Sequence, residues 1–351
     1  MTAPAVALPA RTRGDGPVLA ALAAPAAAGV SGPALVVPEA AASLGVSVGT
    51  AAWLLTVFGI GMAVGTPLLT AAGRRGGPGG TLRVAAGLVV AGAALALFAP
   101  GFPAALGGRA LLAAGAAGFN VAAFQLAGRD PTGRSAALVA IGSAAGGTAG
   151  LFAGPAIAAT LDWRGALVLP LLSLLVWGAI RGGLGTDAKA SGGNTLAAGA
   201  LPTILRSPAF LSSSALMLLL STVNFGLMYA GPRRAGELAG WGAVQTGAYA
   251  ALASLAGAVL SWGLVRAHVR WWVLAGGGAA AVVLAAGGPW AWVVLAAGGL
   301  SSLVTAGGQG LLTGRSADGL PPGLRDTAVG LFNFAFLIGV AAGPALAASL
   351  F

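Results

Sequence analysis

The sequence predicts an all-α integral membrane protein built as two bundles, with about eleven transmembrane helices in total. Three observations carry that prediction. Of the 351 residues 57% are hydrophobic and only 7% are charged, and the mean hydropathy is +0.91, which leaves too little polar surface to coat a soluble globule. Apolar runs of roughly twenty residues, the length that crosses a bilayer as a helix, alternate with short breaks rich in Gly, Pro, Arg and Asp. Features of the first half also return in the second at a nearly constant offset, which is the mark of a duplicated architecture.

Residues 1–14 hold Arg11 and Arg13 among Pro and Ala with no apolar period, and read as a cytoplasmic N-terminal arm. A secretory signal peptide is the competing reading, but the apolar run that follows is long for one. Residues 15–181 supply six spans, about Pro17–Pro38, Val48–Ala72, Leu82–Phe98, Ala104–Ala127, Ala136–Leu161 and Ala166–Ile180. Residues 182–206, with Asp187, Lys189 and Asn194 among Gly and Ser, form a flexible cytoplasmic linker. Residues 207–351 supply five more spans, about Ala209–Ala230, Ala239–Val265, Trp271–Ala286, Trp290–Leu312 and Thr327–Leu350. A twelfth span, which the repeat would pair with the sixth, is missing from this count. Trp271, Trp272, Trp290 and Trp292 fall at span ends and suit the membrane interface.

The fifth span has the most specific sequence. Gly142, Gly146, Gly150 and Gly154 fall four apart on one helical face, so a neighbouring backbone can approach closely, and Pro155 removes a donor from the ladder. The eleventh span repeats this order in Gly339, Gly343 and Pro344, 189 positions later. Pro131 with Arg134 and Pro322 with Arg325 precede the two copies, and Gly65 with Arg74 is echoed by Gly257 with Arg266. The two proline-bearing spans are expected to act as hinges between bundles.

Basic residues fix the expected orientation. With the N-terminus in the cytoplasm, fourteen of the eighteen Lys and Arg residues fall inside, Arg164, Arg233 and Arg234 fall outside, and Arg109 lies within the fourth span. The net charge of +10 is therefore spread over many short loops and makes no nucleic-acid groove. With no cysteine there is no disulfide or thiolate metal site, and the single histidine, His268, sits in a loop between arginines. No metal or cofactor is expected, and an intramembrane enzyme has almost no embedded groups to work with.

Arg109 is the most unusual residue, since a charge among spans normally faces a bundle interior or an aqueous cavity. Asn120, eleven residues on, shares its helical angle, whereas Gln125 points away. Ser302, Thr305 and Gln309 form a stripe on the tenth span, and Asn224, Gln245, Tyr249 and Asn333 supply further polar groups. Arg109, Asn120, Asn224, Gln245, Tyr249, Thr305, Gln309 and Asn333 are the candidate cavity set. All eight acidic residues fall outside the spans or at their ends, which leaves Glu39, at the end of the first span, as the nearest carboxylate for proton coupling, together with Arg109.

Gly146 to Pro155 resembles the antiporter motif of the drug:proton antiporters of the major facilitator superfamily. Asp162-Trp163-Arg164 resembles the residues that open their sixth span, and Thr66 to Arg75, with Gly73, Arg74 and Arg75, resembles their gating loop. Arg109 resembles the arginine of their fourth span. The loop departs from the family pattern at Thr66 and Thr70, where glycine and aspartate are usual, and the fourth span departs at Leu112, where glutamine is common. The resemblance implies a monomeric transporter of the bacterial inner membrane, exporting a small hydrophobic or amphiphilic compound by alternating access with protons as the coupling ion. The rivals are a solute importer or facilitator and a non-transporting relic or partner subunit.

Overall fold

A computed structural model describes residues 15–127, 134–180, 200–267 and 269–350. The N-terminal arm, Pro131, most of the linker, His268 and the side chains of Arg74 and Arg75 lie outside the described residues. The first bundle comprises α1 (Asp15–Ser31), α2 (Val37–Leu44), α3 (Val48–Ala51), α4 (Trp53–Leu97), α5 (Phe102–Ala127), α6 (Arg134–Thr160), α7 (Trp163–Leu167) and α8 (Leu172–Ile180). After α9 (Ala200–Leu205) the second bundle holds α10 (Pro208–Ala239), α11 (Ala243–Arg266), α12 (Trp271–Gly287), α13 (Ala291–Arg315) and α14 (Pro322–Leu350). Among the described residues nine helical stretches are long and apolar enough to cross a membrane, and two shorter apolar helices, Leu169–Ala179 and Trp271–Gly287, bring the count to the expected eleven.

Local chemistry sets most boundaries. Gly32 and Pro33 end α1 in a 3-10 turn over Gly32–Leu35. The 45 residues of α4 fold back on themselves at Gly77, whose φ of 64° is open to glycine and strained for other residues. Ser47, Asp162 and Ser207 cap the helices that follow them, each side-chain oxygen accepting a backbone N–H near the helix start. One boundary differs from the sequence expectation. α10 runs through Gly231 and Pro232 to a left-handed Gly240, so Arg233 and Arg234 are helical residues rather than loop residues. Both arginines have partners: Arg233 donates to the Tyr229 hydroxyl at 3.0 Å, and Arg234 to the Gly288 carbonyl at 3.4 Å.

The glycine rows are where helices touch. A Cβ on Gly142, Gly146, Gly150 or Gly154 would collide with Ala20, Ala24, Ala28 or Gly32 in turn, so α6 lies parallel to α1, backbone against backbone. In the second bundle Gly339 and Gly343 of α14 meet α10 at Leu218, Ser221, Thr222 and Gly226, the equivalent pair of spans. The echo of Gly65 and Gly257 has the same origin: Gly65 abuts Ala114 of α5, and Gly257 abuts Gly299 of α13. Two crossings join the bundles. Gly247 of α11 sits against the Leu151 carbonyl and Pro155 of α6, and Gly59 of α4 sits against Ala341 of α14. Leu151 is four residues before Pro155, so its carbonyl is the one the proline leaves without a helical donor, and the bare Gly247 accommodates it.

The row predicts a sharp contrast between two glycines. Gly154→Val forces a side chain into the Gly32 backbone and should cost about 3 kcal/mol, the upper range for overpacking. Gly178→Ala, where an added methyl meets nothing within 4 Å, should leave stability unchanged or slightly raised. Thermal unfolding of the two purified variants in detergent, followed by circular dichroism, checks both.

Candidate functional site

The helices of the first bundle converge on Arg109. Its side chain is 0% exposed, and no carboxylate faces it among the described residues. Nε donates to the Leu54 carbonyl at 3.3 Å, Nη1 to the Leu167 carbonyl at 2.5 Å and Nη2 to the Gly29 carbonyl, while the guanidinium lies 4.0 Å from the centre of the Phe58 ring. Each acceptor belongs to a different segment: α1, the start of α4, and α7 before the sixth span. Backbone carbonyls and an aromatic face thus replace the counter-ion, and the charge binds three segments to α5. In this state Arg109 acts as a strut at the centre of the first bundle.

Beside this strut the two bundles close against each other at one pole. Ala34 and Leu151 of the first bundle cluster with Ala235, Ala250, Ala291, Val294 and Leu295 of the second. In a second cluster Tyr229 of α10 and Ala347 of α14 pack into Val37, Ala41, Ala51, Ala52 and Leu55. We call this the seal pole. Arg83, Arg134, Arg206, Arg270, Arg315 and Arg325, all exposed, lie at the opposite pole.

Among the seal residues lies a narrow apolar crevice with room for little more than a water molecule, bordered by Leu151 of α6, Leu227, Met228, Gly231 and Pro232 of α10, Ala250 and Ser254 of α11, and Val294, Leu295 and Gly298 of α13. Its wall is apolar and carries no ionisable group. The Met228 sulfur sits 3.6 Å from Asn224 Nδ2, and the Asn224 carbonyl oxygen accepts from Ser301 at 2.7 Å and Ser302 at 3.2 Å. Thr305 donates to the Leu220 carbonyl at 3.1 Å. Asn224 and Thr305 therefore stitch α13 to α10 immediately behind the crevice, the ordinary use of polar groups between membrane helices.

The remaining candidates do not gather in one place. Asn120 is half-buried on α5, with an enclosed Oδ1 that has no hydrogen-bond partner. Asn333 is half-buried on α14, and Gln309 is exposed on α13. Gln245 is exposed and donates to Tyr249 at 3.3 Å, and Tyr249 stacks with Trp241 and Trp292 in an aromatic cluster joining α11 to the start of α13. That places the pair at the rim of the seal pole, away from Asn120 and Asn333. Glu39 is exposed on α2. Gly73 packs beside Thr81 and Gln125, inside the turn that Gly77 makes. The sequence reading missed Tyr229 and Ser301. The available signal for the first was that the chain has two tyrosines and this one lies two residues before the Gly231-Pro232 pair.

A family model described as Major Facilitator Superfamily matches residues 18–344. Among solved structures, a bacterial homolog of the human lysosomal transporter Spinster in an inward-facing, unoccupied conformation superposes with a TM-score of 0.68 at 18% identity, over 96% of this chain and 82% of that one. The inward-facing, occupied form of that homolog gives a TM-score of 0.66 at 18% identity, over 93% and 79%. At such identity the likeness is one of fold. No curated protein sequence matches the chain.

Arg109→Met should unfold the first bundle far more readily than removal of a surface arginine. It leaves the enclosed Gly29 and Leu167 carbonyls without this donor, at about 1–3 kcal/mol each, while the Leu54 carbonyl keeps its place in the α4 ladder. Arg109→Lys, which can satisfy fewer of them at once, should fall between Met and the native residue when unfolding midpoints are compared in detergent.

Proposed function

The chain belongs to the major facilitator superfamily, and from that membership we propose that it exports a small uncharged hydrophobic or amphiphilic compound across the membrane by alternating access. The observation that supports this reading is the apolar packing between bundles at one pole, with a narrow crevice where Leu151 of the first bundle meets α10, α11 and α13 of the second. Such a seal can part without breaking a covalent or ionic link, and a compound held beneath it would then meet the other side. The two bundles, residues 15–181 and 207–351, would rock as units around the crossings of α6 with α11 and α4 with α14. The seal pole carries few basic residues and the opposite pole many, which supports an outer seal and a cytoplasmic N-terminus by the positive-inside rule; the bacterial inner membrane is what the antiporter resemblance implies. The Spinster homolog is described in inward-facing conformations, and closure at an outer pole is the matching state for this chain.

The wall chemistry narrows the substrate. Glu39, Asp162, Glu237 and Asp318 are all exposed at helix ends, so among the described residues nothing anionic lies inside to balance a cationic drug. Asn120, with a free enclosed acceptor, and Asn333 supply neutral hydrogen-bonding groups instead. Export and proton exchange are the expectations that follow from the motif of α6. The same lack of an interior carboxylate favours one second reading, a facilitator that moves its compound without protons.

Transport by reconstituted proteoliposomes separates these readings. Neutral lipophilic compounds should be moved in preference to lipophilic cations and sugars, with acidification or alkalinisation of the lumen marking proton exchange. Gly298→Leu, which fills the crevice from a position where a Cβ meets no neighbour, should reduce transport by about tenfold or more at an unchanged unfolding midpoint. A preference for cations would overturn the charge argument, and compound flux without proton movement would establish the facilitator.

A further inference from the structure

We infer that Tyr229 is the plug that holds the seal pole shut, and that Arg233 is the strap that lets the plug withdraw at little cost. This rests on the alternating-access reading. Tyr229 belongs to the second bundle, yet its ring is 2% exposed, and the cluster around it is drawn mainly from the first bundle, Val37 and Ala41 of α2, Ala51 of α3, Ala52, and Leu55 of α4. These are small or medium apolar side chains, and the ring is the one aromatic group among the cluster's buried members. The buried side chains of that socket are apolar, Val37, Ala41, Ala51, Ala52 and Leu55. The phenol hydroxyl accepts a hydrogen bond from Arg233, one turn farther along the same helix, at 3.0 Å, and the guanidinium lies 5.5 Å from the ring centre.

The consequence is mechanical. When the bundles part at this pole, the phenol leaves with its own donor, so no buried polar group has to exchange partners during the movement. Only ring contacts are lost, and these scale with apolar area. A bond from Tyr229 to the first bundle would have made the seal a lock; a bond within α10 makes it a stopper. The socket is also fixed in place from below, because Leu54, next to Leu55, is the residue whose carbonyl Arg109 holds. The first bundle supplies a rigid cup, and the second supplies the moving piece.

The chain contains no cysteine, so two introduced thiols report without background. Ser43→Cys and Glu237→Cys place spin labels on exposed positions of opposite bundles at the seal pole, and double electron-electron resonance reads the distance between them in the otherwise full-length protein in nanodiscs. Tyr229→Ala should raise the population of the longer, open distance by at least about tenfold, the scale of burying one aromatic ring. Tyr229→Phe, which keeps the ring, should leave the distribution as in the native protein. Gly247→Val forces a side chain against the Leu151 carbonyl, so it pries the bundles apart at their other contact and serves as the control that a second state exists. If the control opens the pole and Tyr229→Ala leaves the short distance dominant, the plug is refuted while alternating access stands. A single unchanging distance in every sample, control included, overturns both. Opening by Tyr229→Phe as large as by Tyr229→Ala would also overturn the assignment, because the hydroxyl rather than the ring would then be holding the pole closed.

Discussion

Close approach of helix backbones is the constraint on which this structure depends. In a bilayer the lipid tails are as apolar as leucine, so burying leucine between helices gives little driving force, and helices must be held by intimate packing and by hydrogen bonds. Among the chain's 60 glycines, Gly142, Gly146, Gly150 and Gly154 form a row where α6 meets α1, and Gly339 and Gly343 a pair where α14 meets α10. Dispersion contacts between backbones then replace the hydrophobic effect that would organise a soluble core. The same device at single positions, Gly59 and Gly247, lets one bundle cross the other, and there the contact is limited to a short stretch of each helix. Extended rows make the bundles rigid, and isolated glycines make the joint between them.

Polar groups inside the membrane serve the same end. Arg109 has no counter-ion among the described residues, yet its donors are occupied by carbonyls from three separate segments, so the cost of a buried charge is offset by bonds that also define the bundle. Asn224 with Ser301 and Ser302, and Thr305 with the Leu220 carbonyl, do for α10 and α13 what Arg109 does for the first bundle, with weaker neutral bonds. Asn120 is different, since its enclosed oxygen has no partner. An unmet acceptor near the interior carries a standing penalty that a bound compound or water would relieve.

The functional consequence is a division of labour between rigid and exchangeable contacts. Bonds that fix each bundle run within that bundle, whereas the seal between bundles at Tyr229, Ala34 and Leu151 is apolar packing. Such packing holds no bond that would have to be exchanged when the bundles part.

The sequence by itself determined the class of fold, the count and order of spans and the duplication. Each of these follows from local composition and spacing: apolar length, glycine periodicity, and the recurrence of Gly-Pro pairs. It also singled out Arg109, because one charge inside an apolar run is visible without coordinates. Only the tertiary structure decided what that charge does, since the carbonyls of Gly29, Leu54 and Leu167 are distant in sequence and become its partners when α1, α4 and α7 surround α5. The polar residues chosen as a cavity set scattered for the same reason: helical angle gives a residue's direction within its own helix, but not which neighbour stands there. Gln245 and Tyr249 consequently went to an aromatic cluster at the rim, Asn224 and Thr305 to a seam between two helices, and Arg233 and Arg234 lie in α10 with partners at Tyr229 and Gly288. Periodicity is written in the chain, and the identity of the facing helix is written only in the packing.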